Sequence, residues 1–454
     1  MKVVKRRLKL ESVFFVSMLL LFIVVCVGLI MCSRYMDYFH AGLPEMEIRL
    51  KGVSLNEINK GEKENKYEGN TVVISFHGDK RLFDSVTLKG RGNFSWTAEK
   101  KSYNLKFSKK TKLLNLRGQK KWGLIANSLD DTLLRNDIGH YISNVVVKDH
   151  PIYGDFVNLV IDGEDLGLYY LSELVSIDKN SVDIKNTLGV LVEFDKVYCL
   201  NEQHYYTSEI LHDCMTLKDA VDDNNSELAM NNYMDYYNKF ERLLLNADYN
   251  EVFNYVDKES WAEYYLLSEF TGNVDAYVTS WFLYKDGLDG KINVGPGWDF
   301  DAGFGNKNWW EDWSDEYYDP NLIMSRLKYS FDERADYVEG QKMGCRYDYK
   351  GKEGSLAYVS PIMCYMIDIP EFNDEVSRLY KERLMDKRDE VLTYIRNRAN
   401  YIRAAAIKDN EMWGKGDFDK AVEYLVWWVD KRFDLFDRLY GEVKTEFLEE
   451  PSEV

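Results

Sequence analysis

The chain has 454 residues, with 76 acidic against 58 basic side chains, a net charge of −18 and 45% hydrophobic residues. That length permits two or three domains, or one large α+β domain with a helical lobe. The acidic balance argues against nucleic acid as a partner and favours solubility or basic substrates, and no low-complexity tract or internal repeat stands out.

At the start, Lys2, Lys5, Arg6, Arg7 and Lys9 precede an apolar run from Val13 to Met31, broken only by Ser17 and Gly28. The run is long enough to span a bilayer and longer than a signal-peptide core. The basic flank places the N-terminus in the cytoplasm. Residues 1–12 therefore read as a cytoplasmic basic tail and 13–32 as an uncleaved, single-pass transmembrane signal anchor in the cell membrane. Met31 beside Cys32 is a poor neighbour for a lipoprotein-type cysteine. The main body is then expected outside the cytoplasm. Of its cysteines, Cys199, Cys214, Cys345 and Cys364 show no C-x-x-C spacing, which speaks against zinc. A Cys199–Cys214 disulfide is open to an exported chain.

Residues 45–126 are rich in strand formers, over 47–50, 71–76, 85–89 and 102–107. The turn Lys89-Gly90-Arg91-Gly92-Asn93 lies between two of these strands; Gly-x-Gly alone is usually a tight turn. Apolar spacing predicts a helix over 128–145, entered through Ser128 and Asp130, with Arg135 and Asn136 inward. Segments 157–161 and 168–171 flank Asp162-Gly163 as a hairpin would. Another apolar strand, 189–193, brings Glu193 and Asp195 toward a cleft. Residues 198–225 read as a polar loop; His204 and His212 lack carboxylate company, so no metal site is assigned there. Helices follow over 228–245 and 261–270.

Two acidic stations come next. Asp275 follows the helix, Asp299-Phe300-Asp301 follows a strand, and a hairpin of 281–285 and 291–294 joins them through Asp286-Gly287-Leu288-Asp289-Gly290. In an extended segment Asp299 and Asp301 point to one face, so either or both can reach one ion. Gly303 and Gly305 let the backbone turn away afterwards. Trp309, Trp310 and Trp313 suit a substrate platform, or, more in keeping with large aromatics, lobe packing. Residues 325–358 read as a surface excursion, and 371–406 with 418–439 as long helices.

Seven blocks in order resemble the CotH family, spore-coat-type proteins with an atypical protein-kinase-like fold. They are LKGRGNFSW from Leu88, KKSYNLKF from Lys100, KKWGLIANSLDDTLLRN from Lys120, VNLVIDGEDLGLYYLSELV from Val157, GVLVEFD from Gly189, GNVD from Gly272 and GPGWDFDAGFGN from Gly295. The resemblance implies an α+β, two-lobe fold with a β-rich N-lobe and a helical C-lobe, preceded by the transmembrane helix. The kinase-like core spans 45–310, and 311–442 adds a helical layer to the same domain. It also implies ATP-dependent protein kinase activity with Mg²⁺ or Mn²⁺. Asp275 then faces the acceptor hydroxyl, and Asp299, with or without Asp301, holds the metal. Ser280 stands five residues after Asp275, where kinase catalytic loops carry an Asn for a second Mg²⁺, and joins the metal candidates. Arg91 becomes a phosphate or structural contact. A strand lysine for the phosphates is Lys101 or Lys106; on opposite faces only one can serve, and Lys101 is favoured.

Two functions from different classes follow. One is a membrane-anchored CotH-like kinase acting on Ser or Thr of exported or spore-coat proteins, with basic or Ser-rich substrates. The other is a non-catalytic surface or coat module that keeps the fold and binds a partner; Ser280 favours it. A glycoside hydrolase using the same carboxylates is a distant third, since the intervening hairpin follows kinase order.

Overall fold

In the computed structural model, residues 18, 42–199, 202, 204–308, 318–326 and 360–441 are described. The expected anchor over 13–32, Met18 apart, lies outside them, as do Trp309, Trp310 and Trp313 and most of the 325–358 excursion. No helix among the described residues is long and apolar enough to cross a membrane.

Seven strands make the first half: β1 (Glu45–Arg49), β2 (Tyr67–Phe76), β3 (Asp79–Arg91), β4 (Ser102–Thr111), β5 (Gln119–Ile125), β6 (Gly154–Ile161) and β7 (Glu164–Glu173). Their alternating inward residues, among them Ile48, Val72, Leu88, Leu105, Leu124 and Leu159, form one apolar interior. The order β1-β2-β3-β4-β5-β7-β6 closes into a barrel because β1 pairs antiparallel with β2 and parallel with β6. This corrects the expected lobe. The β-rich half and the mixed α+β class are present, but a closed barrel replaces the sheet of a typical kinase lobe. Closure satisfies the edge strands that an open sheet would expose.

The second half is built on a five-stranded sheet, ordered β12-β11-β8-β10-β9. Its strands are β8 (Val190–Phe194), β9 (Tyr206–Thr207), β10 (Cys214–Ala220), β11 (Trp281–Lys285) and β12 (Ile292–Val294). The helices are α1 (Leu55–Lys60), α2 (Arg135–Val146), α3 (Ser226–Leu245), α4 (Tyr249–Val252), α5 (Lys258–Thr271), α6 (Ile362–Ile367), α7 (Pro370–Leu379), α8 (Arg388–Met412) and α9 (Phe418–Phe436). All but α1 contribute to one hydrophobic core that reaches from Leu133 to Phe436.

Two expectations fail locally. The helix expected from Ser128 starts at Arg135, because the Asp130 carboxylate accepts from the backbone N–H of Thr132 and of Arg135, each at 2.9 Å, and Leu133 is left-handed at φ 57°. The expected loop over 198–225 contains β10, which pairs with the buried β8 and is joined to residue 199 by a Cys199–Cys214 disulfide. Pairing with a buried neighbour decides strand formation there over local composition.

The halves are stapled by buried charge. Lys100, just before β4, gives its ammonium to the Leu168 carbonyl at 2.5 Å and to Asp409 of α8 at 2.7 Å. Burial, opposed by Asp409, lowers its pKa to about 7. Lys415 bonds the other Asp409 oxygen at 3.3 Å and the Asn127 carbonyl at 3.0 Å. At the far end, fully buried Arg432 of α9 donates to the carbonyls of Glu269, Phe270, Pro320 and Leu322. That clamp fixes the end of α5, from which the site loop leaves.

Candidate active site

Helix α5 stops at Gly272, left-handed at φ 54°, where a Cβ would lie 2.7 Å from the Trp428 ring. Only glycine suits that close, left-handed turn. Asn273 follows and joins the two acidic stations. Its side-chain Oδ1 accepts from the Asp275 N–H at 3.2 Å, and its Nδ2 donates to the Asp299 backbone carbonyl at 2.8 Å. The Asp275 carbonyl then accepts from Val278 and Thr279 in a tight turn.

The β11–β12 hairpin returns the chain to Asp299. The run 299–301 is a loop rather than the expected extended segment, with Asp299 left-handed at φ 63°. Its neighbours hold it there: the Phe300 N–H donates to Asn136 at 2.9 Å, the Phe304 N–H to Thr271 at 2.7 Å, and Arg135 to the Gly303 carbonyl at 3.2 Å. Phe300 packs so close to α2 that a Cβ at Gly139 would fall 2.1 Å from its ring. The two carboxyls still interact, Asp299 opposing the ionisation of Asp301. Ser280, also left-handed, donates its hydroxyl to Asp299 at 3.1 Å.

Charge is concentrated here. Burial first, then Asp299 and Asp195, raise the Asp275 pKa to about 7. Burial and the Asp299 charge push Asp301 well above the carboxylate range. Burial raises Glu193 against the opposing pull of its ion-pair partner Lys218. Arg91 is the predicted cation that reaches this cluster. Burial lowers its pKa, while Asp299, Glu193 and Asp301 hold the charge in place. Its guanidinium lies 5.0 Å from the Trp298 ring and bonds Asn104 at 3.3 Å.

The two lysines behave differently. Lys101 is committed to the Trp96 carbonyl at 2.5 Å and packs over that ring. Lys106 is exposed on β4, opposite Thr87 and Lys121. Sequence reasoning missed Asn273, Trp298, Lys218 and Tyr198. For Asn273 a signal existed, since an Asn two residues before an Asp favours a side-chain-to-backbone turn.

A model described as CotH kinase protein matches residues 88–435. The chain belongs to the CotH family. No curated protein matches it. In this CotH chain the match begins at Leu88 in β3, ends at Leu435 in α9, and so encloses every residue of the acidic cluster.

Among the described residues, no group of three or more His, Cys, Asp or Glu side chains is arranged around a metal position. The CotH pair Asp299–Asp301 nevertheless suits Mg²⁺, which takes one or two carboxylates and completes its shell with water and phosphate oxygens. The Asp301 Oδ1 atom is buried with no hydrogen-bond partner. A hard cation would take up that orphaned oxygen and let Asp301 ionise beside Asp299.

Proposed function

We propose that this CotH-family chain is a membrane-anchored protein kinase that uses ATP to phosphorylate Ser or Thr hydroxyls of exported or coat proteins. The observation that carries the reading is the tie between the Asp275 and Asp299 backbones through Asn273, with Ser280 on the Asp299 carboxylate and Arg91 drawn to the second station. Phosphoryl transfer needs positioning and charge stabilisation rather than covalent help from the protein.

Each residue then has a part. Asp275 orients the acceptor hydroxyl and takes its proton; a carboxylate with a pKa near 7 is suited to that exchange at neutral pH. Arg91 binds phosphate oxygens. Asp299 and Asp301 hold Mg²⁺ or Mn²⁺, which supplies charge neutralisation on the phosphates. Ser280 orients Asp299 through its hydroxyl. As the acceptor oxygen bonds the γ-phosphorus, the bond to the β–γ bridging oxygen breaks and ADP leaves. A second reading, a non-catalytic binding module, is favoured by Ser280 standing where kinases keep an Asn.

Thermal melting of the detergent-solubilised full-length chain with ATP and Mg²⁺ or Mn²⁺ separates the two. Metal-dependent stabilisation that Asp299→Ala loses and Asp275→Ala keeps is the expected result. No shift with any nucleotide, in a folded protein, favours the binding module.

A further inference from the structure

The β4–β5 hairpin carries a charge opposite to that of the whole chain. No acidic residue occurs between Lys100 and Leu129, in a protein of net charge −18. Lys106, Lys109, Lys110, Lys112, Lys120 and Lys121 are all exposed. Among the described residues, Lys110 alone of these six has a carboxylate partner, Asp178. Lys106 and Lys121 stand directly opposite each other across the two strands, a like-charge contact that is unfavourable until an anion covers it.

Strand register fixes where this charge lies. Glu45, the first residue of β1, is opposite Ser75 of β2, next to the β2–β3 turn. Strand β3 leaves that end of the barrel and β4 returns to it, so the tip of the β4–β5 hairpin, closed by the Thr111–Gln119 pair, lies at the end where the chain enters β1. Lys80, Arg81 and Leu82, just past the β2–β3 turn, are exposed at the same end, as is Tyr153, one residue ahead of β6. Glu45 and Asp79 are exposed there too, outnumbered by the basic residues. Arg91 closes β3 at the opposite end, about 40 Å away along the strand. Residues 32–44 connect the apolar run to Glu45 and cannot span more than about 45 Å.

We infer that the entry end of the barrel is a membrane-facing surface: the hairpin lysines, with Lys80 and Arg81, bind the anionic phospholipid headgroups of the membrane that holds the anchor. Lysines close to an anionic leaflet are drawn to it, and a short tether keeps them at high local concentration. The Tyr153 ring suits the headgroup level. The acidic remainder is repelled from the same surface, so the difference in sign orients the molecule and holds the Arg91 end away from the lipid. The inference rests on the membrane-anchored reading and is independent of phosphoryl transfer.

The full-length chain is reconstituted into vesicles of phosphatidylcholine alone, or of equal parts phosphatidylcholine and phosphatidylglycerol. Its lysines are acylated with an amine-reactive reagent and read by mass spectrometry. Acylation of Lys109, Lys112, Lys120 and Lys121 is expected to be about threefold slower in the anionic vesicles, the factor by which such a surface potential depletes the free amine. Lys420 of α9, which is highly exposed, should react equally in both, and high salt should remove the difference at the hairpin. A Lys109→Gln/Lys110→Gln/Lys112→Gln variant that melts with the wild type should lose the protection of Lys120 and Lys121. If that variant melts lower, Lys120→Gln/Lys121→Gln replaces it, read at Lys109 and Lys112. Equal acylation of the hairpin in both vesicles, slowing that extends equally to Lys420, or protection that the variant keeps overturns this inference alone. Soluble polyphosphate that slows the same lysines as strongly in neutral vesicles assigns the surface to free polyanions and overturns the membrane assignment. A chain that an alkaline wash strips from both kinds of vesicle overturns the anchored reading and this inference with it.

Discussion

Asp275 should make the folded chain less stable than it could be, and Asp275→Asn should reveal by how much. Moving its carboxylate from the ordinary 3.8 to about 7 corresponds to about 4 kcal/mol at 1.36 kcal/mol per pH unit. The residue keeps partial solvent contact, which screens the repulsion and brings the expected gain to about 1–3 kcal/mol. The sign follows from proton uptake. Because the folded value lies above the unfolded one, the folded chain holds an extra proton between about pH 4 and pH 7, and stability falls as pH rises through that window. The neutral amide escapes that loss. Melting of wild type and Asp275→Asn, side by side at pH 4.5 and pH 8, should show a small advantage for the variant at the lower pH and a full one at the higher. An advantage of equal size at both values, or a variant less stable at pH 8, would refute the argument that burial and the Asp299 and Asp195 charges oppose ionisation at this position.

Two other perturbations probe what holds the site. Asn136→Ala leaves the Phe300 N–H without its acceptor and should cost about 1–3 kcal/mol, with weaker stabilisation by Mg–ATP; melting with and without nucleotide reads both. Lys100→Met removes a buried ammonium from Asp409 and should cost about 3–5 kcal/mol in denaturant unfolding, so a variant as stable as the wild type would contradict the staple.

The parts of the site that could be read from sequence are local ones. The hairpin between the acidic stations, the helix ahead of Asp275 and the inward direction of Asn136 all follow from spacing and turn chemistry, and the structure has each of them. Failures fall where a distant partner decides. The resemblance pointed to Lys101 or Lys106, yet the lysine of this segment that is buried is Lys100, whose counter-ion comes from a distant helix. The start of α2 moved because a single side chain, Asp130, satisfies backbone donors that a helix would have used. Barrel closure rests on the pairing of β1 with β6. No window of local alternation contains that information. The loop at Asp299 was expected to be extended, but its backbone is set by Asn136 of α2 and by Thr271 and Asn273 at the end of α5.

The bond between Lys100 and Asp409 spans 309 positions of sequence. At a synthesis rate of ~5–20 residues per second, about 15–60 s separate the appearance of the two side chains. Every strand of the barrel has been made by Glu173, yet its ammonium waits for a carboxylate near the end of the chain. The earliest-made half of the protein is thus completed only late in synthesis. A premature stop after residue 408 would spare every barrel strand and still leave a charge stranded against its wall.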